Sequence, residues 1–502
     1  MSPITKKIKK VYFLYCLTIY LCKKVHFFYF FLLYISFLDN TPYYIKNRIF
    51  FFLQFCLLVN FFCCLLVSLS VNFQTNKIMK KLLKATLIVV CACLSGRTVN
   101  AQENVSPKDE PVSLICISET INEAPDVVEI FQTTQSGYYH DPRAPRFVLV
   151  DQQGKWGLGI GGYLQTKIEY DFDGSVDNVD FFPSAINRNG VSSSQFQMDM
   201  TNSTIFLKLV GNSRILGDFY VYTSGNWRGS GDNFRLHNMY MSAEWLTIGY
   251  TTGAFMDLDA APITVDYGGP CGMAFYRTTQ LRLKYATDWG LSMGLGIEAS
   301  KPYGTDSEYA NITTQRMPNI PIYFQYSMND NSHIRLAGVV RNLSYRNHVT
   351  GEKHNKYAWG AQASVLATMG KLQFKGQFTM GKGIGSYINN ISNVGVDLVP
   401  AEELGRMTML RSEAWYVGLQ YNVSSRFFAT ATYSQTALHS AAGYSDAYPD
   451  AYRRGQYFVA NMFYNASKNM QIGLEYLRGW RADFDGNKNH SNRINLAARY
   501  NF

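Results

Sequence analysis

The sequence predicts an all-β fold: an antiparallel sixteen-stranded transmembrane β-barrel whose third external loop folds inward. Three observations predict it. Apolar and polar side chains alternate with a period of two from residue 155 to the end, tight and long connections alternate between the periodic runs, and the last run stops on an aromatic residue, Phe502. Long strands with one wholly apolar face suit a closed barrel in lipid, where roughly 9 to 11 residues cross the membrane and no strand edge is left open.

The N-terminal region has a different texture. Residues 1–78 consist mostly of Phe, Tyr, Leu, Ile, Lys, Asn, Cys and Ser, with runs such as Phe27-Phe28-Tyr29-Phe30-Phe31, and hold one acidic residue, Asp39. Stretches 11–38 and 49–71 are long and apolar enough for membrane helices. Met79, however, opens a secretory signal over 79–101: basic Lys80, Lys81 and Lys84, an apolar core from Ala85 to Leu94, and a small-residue site ending Val99-Asn100-Ala101. Residues 1–78 therefore read as translation of AT-rich upstream DNA from a start codon set too early, with membrane anchors as the alternative. Residues 1–101 carry 13 of the 47 basic and 1 of the 37 acidic residues, so their removal leaves 34 against 36 and the net charge of +10 disappears. No basic excess remains to suggest nucleic acid. Seven of the nine cysteines leave with the same segment, and the remaining Cys116 and Cys271 make neither a metal site nor a disulfide framework.

Residues 102–150 are expected to form a short periplasmic N-terminal segment. Up to about Arg146 it is acidic, interrupted by Pro107, Pro111, Pro125, Pro142 and Pro145, and reads as mostly extended. The barrel is assigned to 151–502. Its first strand is the clearest: Trp156, Leu158, Ile160, Leu164, Ile168, Tyr170 and Phe172 hold the even positions, against Lys155, Gln165, Lys167, Glu169 and Asp171 on the odd ones. The same pattern places strands at 195–210, 214–226, 234–242, 246–252, 277–287, 289–300, 319–327, 333–345, 355–368, 371–382, 411–423, 425–435, 455–465, 468–480 and 492–502. Every connection after an even-numbered strand is tight, as at Gly211 to Ser213, Ala243 to Trp245 and Met369-Gly370. Those at 173–194, 253–276, 383–410 and 436–454 are long. With the N-terminus in the periplasm, the short turns fall on the periplasmic side.

The stretch from Phe234 to Tyr285 resembles the DcaP-like trimeric porins. It carries Phe234-Arg235-Leu236-His237-Asn238-Met239-Tyr240, then Leu246-Thr247-Ile248-Gly249-Tyr250-Thr251-Thr252, Phe255-Met256-Asp257, Pro262 through Asp266, and Gly269-Pro270 before Arg277-Thr278-Thr279-Gln280-Leu281-Arg282. The resemblance implies an outer-membrane channel of a Gram-negative bacterium, a homotrimer, and a preference for small anionic solutes at an arginine-lined constriction. Members of that family often carry a helical coiled-coil segment ahead of the barrel; residues 102–146 here are short and proline-interrupted.

Connection 253–276 is the third external one, the loop that narrows the lumen of sixteen-stranded porins. It holds Asp257, Asp259 and Asp266. Strand parity turns Gln280, Arg282 and Lys284 towards the lumen, because Leu281, Leu283 and Tyr285 must meet lipid. Arg235 and His237 follow by the same rule, and Arg277 joins them as a pore-lining candidate. An inward charge sits in water, whereas Arg or Lys at the bilayer midplane costs about 2 to 4 kcal/mol. A basic wall opposite loop carboxylates sets up a transverse field that selects by charge; the competing reading is that these groups pin the loop. The expected function is passive diffusion of small hydrophilic, anionic solutes, with no cofactor, no metal and no catalysis, since no histidine sits in a catalytic motif. The alternative is a surface-binding protein that works through its long external loops. No plug domain is evident.

Overall fold

The computed structural model describes residues 125–143, 147–151, 155–176, 178–190 and 193–502. The proposed leader segments, 1–78 and 79–101, lie outside these residues. All of the described structure belongs to the unit spanning Val105–Phe502.

Alternation of apolar and polar residues makes the wall. Its strands are β1 (Phe147–Val150), β2 (Trp156–Phe172), β3 (Gln195–Asp199), β4 (Thr204–Ser213), β5 (Gly217–Asn226), β6 (Arg235–Ala243), β7 (Leu246–Thr252), β8 (Arg277–Ala286), β9 (Leu291–Glu298), β10 (Ala310–Ile312), β11 (Ile320–Asn329), β12 (Ser332–Asn347), β13 (Lys353–Met369) and β14 (Leu372–Lys382). A two-stranded ribbon follows, β15 (Val399–Pro400) with β16 (Met407–Thr408). The wall then resumes with β17 (Arg411–Asn422), β18 (Phe427–His439), β19 (Tyr452–Asn465), β20 (Met470–Asp483) and β21 (Lys488–Asn501). Pairing is antiparallel throughout, and β21 returns to β2 from Tyr163↔Asn501 to Phe172↔Asn492, which closes the barrel. Three short strands extend neighbours: β1 continues the edge of β2 below β21, β10 lies beside the upper part of β12, and β3 shares one position with β4. The 19-stranded sheet is therefore a sixteen-position wall.

Closure leaves no unpaired edge, and the two faces separate by residue parity. On β11, Phe324 is 45 % exposed on the outer face while its neighbour Tyr323 is 6 % exposed on the inner one. Leu164, Ile248, Leu283, Leu336 and Leu419 continue the exposed apolar band around the barrel.

Two expectations need correction. The second predicted strand, 195–210, is broken at 200–203. Lys167 pairs with Asp199 and Tyr163 with Thr204, so four residues on one side face three on the other. One extra residue flips the outward set from Phe196, Met198 and Met200 to Ile205 and Leu207, as a bulge must. The reading of 102–150 as extended chain also fails, because Pro125–Thr133 is a helix, α1. Pro125 occupies its first position, where a proline starts a helix rather than interrupting one. Val127, Ile130 and Phe131 make one apolar face that docks on Val148 and on Val210 of β4. Gly157 permits the approach: a Cβ there would lie 2.4 Å from Val127 Cγ1.

Candidate functional site: the lumen

The inner face of the barrel is not uniformly wet, and loop 253–276 is the main reason. Its backbone and Asp257 are held by side chains from eight strands, beginning with Glu298 on β9, which accepts from Ala254 N at 3.0 Å. Asp257 Oδ2 accepts from His333 Nε2 on β12 at 2.8 Å and from Ser364 Oγ on β13 at 2.6 Å. Lys375 on β14 donates to Ala261 O, and Tyr416 on β17 to Ala260 O. Thr430 on β18 and Asn461 on β19 both donate to Ile263 O. Glu475 on β20 accepts from the backbone amides of Val265 and Asp266 at 2.6 and 2.9 Å. Further along, Gly272 N donates to Ser434 Oγ and Ala274 N to Gln377 Oε1. These wall residues belong to the parity set opposite the exposed apolar band, so the loop lies against the inner face.

A second long connection, 383–410, packs on the first. Phe275 N donates to Tyr387 O and Asn389 N to Met273 O. Tyr387 donates its hydroxyl to Glu298 Oε2 at 2.7 Å, and the buried Arg341 pairs with Asp397 at 3.1 Å. Ile384, Ile388 and Ile391 are buried in the same cluster as Phe255 and Leu410.

The nine sequence-predicted site residues separate into groups. Asp257 and Asp266 are buried anchors; Asp266 accepts from Phe181 N at 3.1 Å and from the Tyr457 hydroxyl at 3.1 Å. Burial pushes the Asp266 carboxyl up to about 7, with Lys167 opposing the rise and Asp180 and Glu475 adding to it. Asp259 is exposed and lines a cavity of about 700 Å³ together with Gly137, Gln325, His333, Gln373 and Lys375. His237 is buried and hydrogen-bonded to the Tyr267 hydroxyl at 2.7 Å. A bulge opposite Ser224 and Gly225 leaves both His237 and Asn238 buried, so parity switches there. Gln280 spends its amide on the carbonyls of Thr251 and Thr252. Arg282 is half-exposed, and Arg235 and Lys284 are exposed. Arg277 has the parity of the outer set, yet at the top of β8 its guanidinium lies 5.2 Å from the Phe275 ring, on the loop side.

Inward basic residues that the sequence reading did not single out include Lys375, which lines the cavity, and Arg335. Arg335 on β12 donates to Ala254 O at 2.6 Å and stacks 3.8 Å from the centre of the Tyr323 ring. Its alternation with the outward Ile334 and Leu336 was the available signal. Among the described residues no group of His, Cys, Asp and Glu is arranged to hold a metal ion.

Comparison with known proteins agrees with this architecture. The family model for the DcaP outer membrane protein matches residues 160–502. The crystal structure of the outer membrane channel DcaP of Acinetobacter baumannii superposes with a TM-score of 0.62 at 18 % identity, covering 70 % of this chain and 99 % of that one. The anion-selective porin from Comamonas acidovorans has a TM-score of 0.48 at 10 % identity, over 69 % of this chain and 100 % of its own. Pseudomonas putida OprB has a TM-score of 0.46 at 11 % identity, over 69 % and 94 %. No curated protein matches the sequence. The closed sixteen-position wall, the loop laid against its inner face and a family match over more than half of the sequence lead to one conclusion: the chain belongs to the DcaP outer membrane protein family, and it is a porin of the Gram-negative outer membrane.

Proposed function

We propose that this porin passes small hydrophilic anions by passive diffusion as a homotrimer, without covalent chemistry. The observation that carries the charge preference is how the loop carboxylates are used. Of the three aspartates on loop 253–276, Asp257 is satisfied by His333 and Ser364, and Asp266 by Phe181 and Tyr457. That leaves Asp259 as the loop carboxylate at the cavity, which Asp288, Asp330, His333 and Lys375 also line, while Arg282, Lys284 and Arg335 stand on the inner faces of β8 and β12. A lumen with more available positive than negative charge concentrates anions and speeds their entry.

The surface-binding alternative loses support from the same packing. Loop 383–410 turns much of its length inward: Ile384 to Ile388, Asn390, Ile391 and Val396 to Pro400 are buried, which leaves little for a partner. The test is reconstitution of residues 102–502 in a planar bilayer under a salt gradient. The reading expects conductance steps in threes, an anion-favouring reversal potential, and a shift towards zero in Arg282→Ala. A cation-favouring potential that Arg282→Ala leaves in place would overturn the charge preference, and single steps would overturn the trimer.

A further inference from the structure

The segment ahead of the barrel is packed against inward-facing side chains in the part of the lumen near the periplasmic turns. Helix α1 lies on Gly157 and Val210. Just beyond it, Lys208 of β4 donates to Thr134 O at 3.0 Å and to its hydroxyl at 2.6 Å, with its ammonium 4.6 Å from the Tyr220 ring centre. The chain then runs inward along the wall. Tyr139 donates to Gln471 Oε1 on β20 at 2.6 Å, Tyr163 of β2 donates to His140 O at 3.1 Å, and Arg499 of β21 donates to the carbonyls of Tyr139 and Asp141 at 2.8 and 3.1 Å. It ends against the loop: His140 and Tyr267 stand 5.0 Å apart edge to face, and a Cβ at Gly137 would lie 2.7 Å from Asp259 Oδ1.

Lys208, Gln471 and Arg499 would be water-facing lumen groups in an unobstructed barrel, and here all three are occupied by backbone or side-chain atoms of residues 134–141. The opposite sector, β11 to β14, keeps the cavity of about 700 Å³ at the same level. The family match begins at residue 160, so this segment lies ahead of the part that the chain shares with its family.

We propose that residues 125–141 are a fixed lumenal insert that fills the periplasmic half of the bore beneath β2, β4, β5, β20 and β21. The insert makes a second constriction in series with loop 253–276 and confines solutes to the channel along β11 to β14. Pore size is then set from both ends of the sequence: by a loop within the barrel and by the chain that precedes it. The contacts that hold the insert are of the kind that hold the loop, hydrogen bonds from wall side chains to backbone carbonyls together with a small apolar contact, so it is a standing part of the pore.

This proposal rests on the porin reading, and the experiment separates the two. Single-channel conductance and the largest permeant polyethylene glycol are measured for the full mature chain, for the same chain lacking residues 125–141, and for Val127→Cys/Gly157→Cys before and after reduction. Conductance of the parent chain tests the porin reading alone. The insert is expected to reveal itself as a conductance roughly doubled on deletion, by the area it vacates, with a larger polymer cut-off. The disulfide variant is expected to conduct equally when oxidised and reduced. Unchanged conductance and cut-off after deletion would overturn the proposal. So would a disulfide form that conducts far less than its reduced form, because the insert would then normally lie outside the bore. The disulfide variant keeps every segment of the chain, so the test stands even if the deletion fails to fold.

Discussion

The two walls of the lumen differ in what their inward side chains touch. On β17 to β20 they are buried: Ser412, Ala414, Tyr416, Thr432, Ser434, Tyr457, Asn461, Glu475 and Leu477 are all covered by loop segments. On β5 to β9 the inward set is mixed: Ser224, Thr247, Thr251, Thr278, Gln280 and Glu298 are buried, while Tyr222, Tyr240, Ser242, Arg282 and Ser292 stay half-exposed and Lys284 is exposed. Composition follows the division. The covered wall offers small hydroxyls, amides and one carboxylate at spacings that match loop amides and carbonyls, while the open wall offers tyrosines and cations. The covered wall holds the machinery, and the open side, here and along the cavity of β11 to β14, meets the solute, so substitutions should divide into those that loosen the barrel's contents and those that alter what passes.

The largest effect is expected where the covered side holds a charge. Asp257→Ala strands the buried His333 imidazole and the Ser364 hydroxyl together. Leaving such groups unpaired costs about 2 to 4 kcal/mol. The readout is the temperature at which the folded band converts to the unfolded one in electrophoresis, together with single-channel noise. A lowered midpoint and a noisy, larger conductance are expected; a midpoint equal to that of Lys284→Ala on the open wall would erase the distinction between the two sides.

A smaller effect, from sterics alone, is expected at Gly272. A Cβ there would lie 2.5 Å from Trp415 O and 2.6 Å from Gln435 O, both backbone atoms of the covered wall that cannot rotate away. Gly272→Ala should lift this part of the loop from β17 and β18 at a cost of about 1 to 3 kcal/mol. Ion selectivity should hold, because no charge changes. A selectivity change without a stability change would place Gly272 on the solute path instead.

These devices were unequally legible. The wall was readable because lipid imposes period two on every strand; even the break in the second strand is written as the slip from even Phe196, Met198 and Met200 to odd Ile205 and Leu207. Inside the barrel that rule ends. A lumen group can face water, a loop or the insert, and parity assigns the side without saying which. Gln280 and Lys284 share a parity, yet one bonds to strand carbonyls and the other is exposed. Helix α1 was hidden for another reason. Nine residues hold one apolar stripe at 127, 130 and 131, too short to stand out from chance, and Pro125 reads as a breaker until its place at the first helical position is known.

The smallest expected effect is a pH dependence on the covered side. Buried on loop 253–276, Asp266 has a carboxyl lifted from its usual 3.8 to about 7. An acid whose pKa is raised by folding holds a proton that the unfolded chain has already lost, so its contribution is complete below about pH 4 and fades as pH climbs to about 7. The loop should therefore be held more firmly at pH 5 than at pH 8, with quieter channels at the lower value. Asp266→Asn should remove that slope while keeping an acceptor for the Phe181 amide. Asp266 is buried against Phe181 and Tyr457 rather than standing on the open wall, so the reversal potential should move less than the noise does. If instead reversal potential followed pH and the noise stayed flat, Asp266 would be acting on the solute rather than on the loop, and the division between holding wall and conducting wall would fail at its most buried carboxylate.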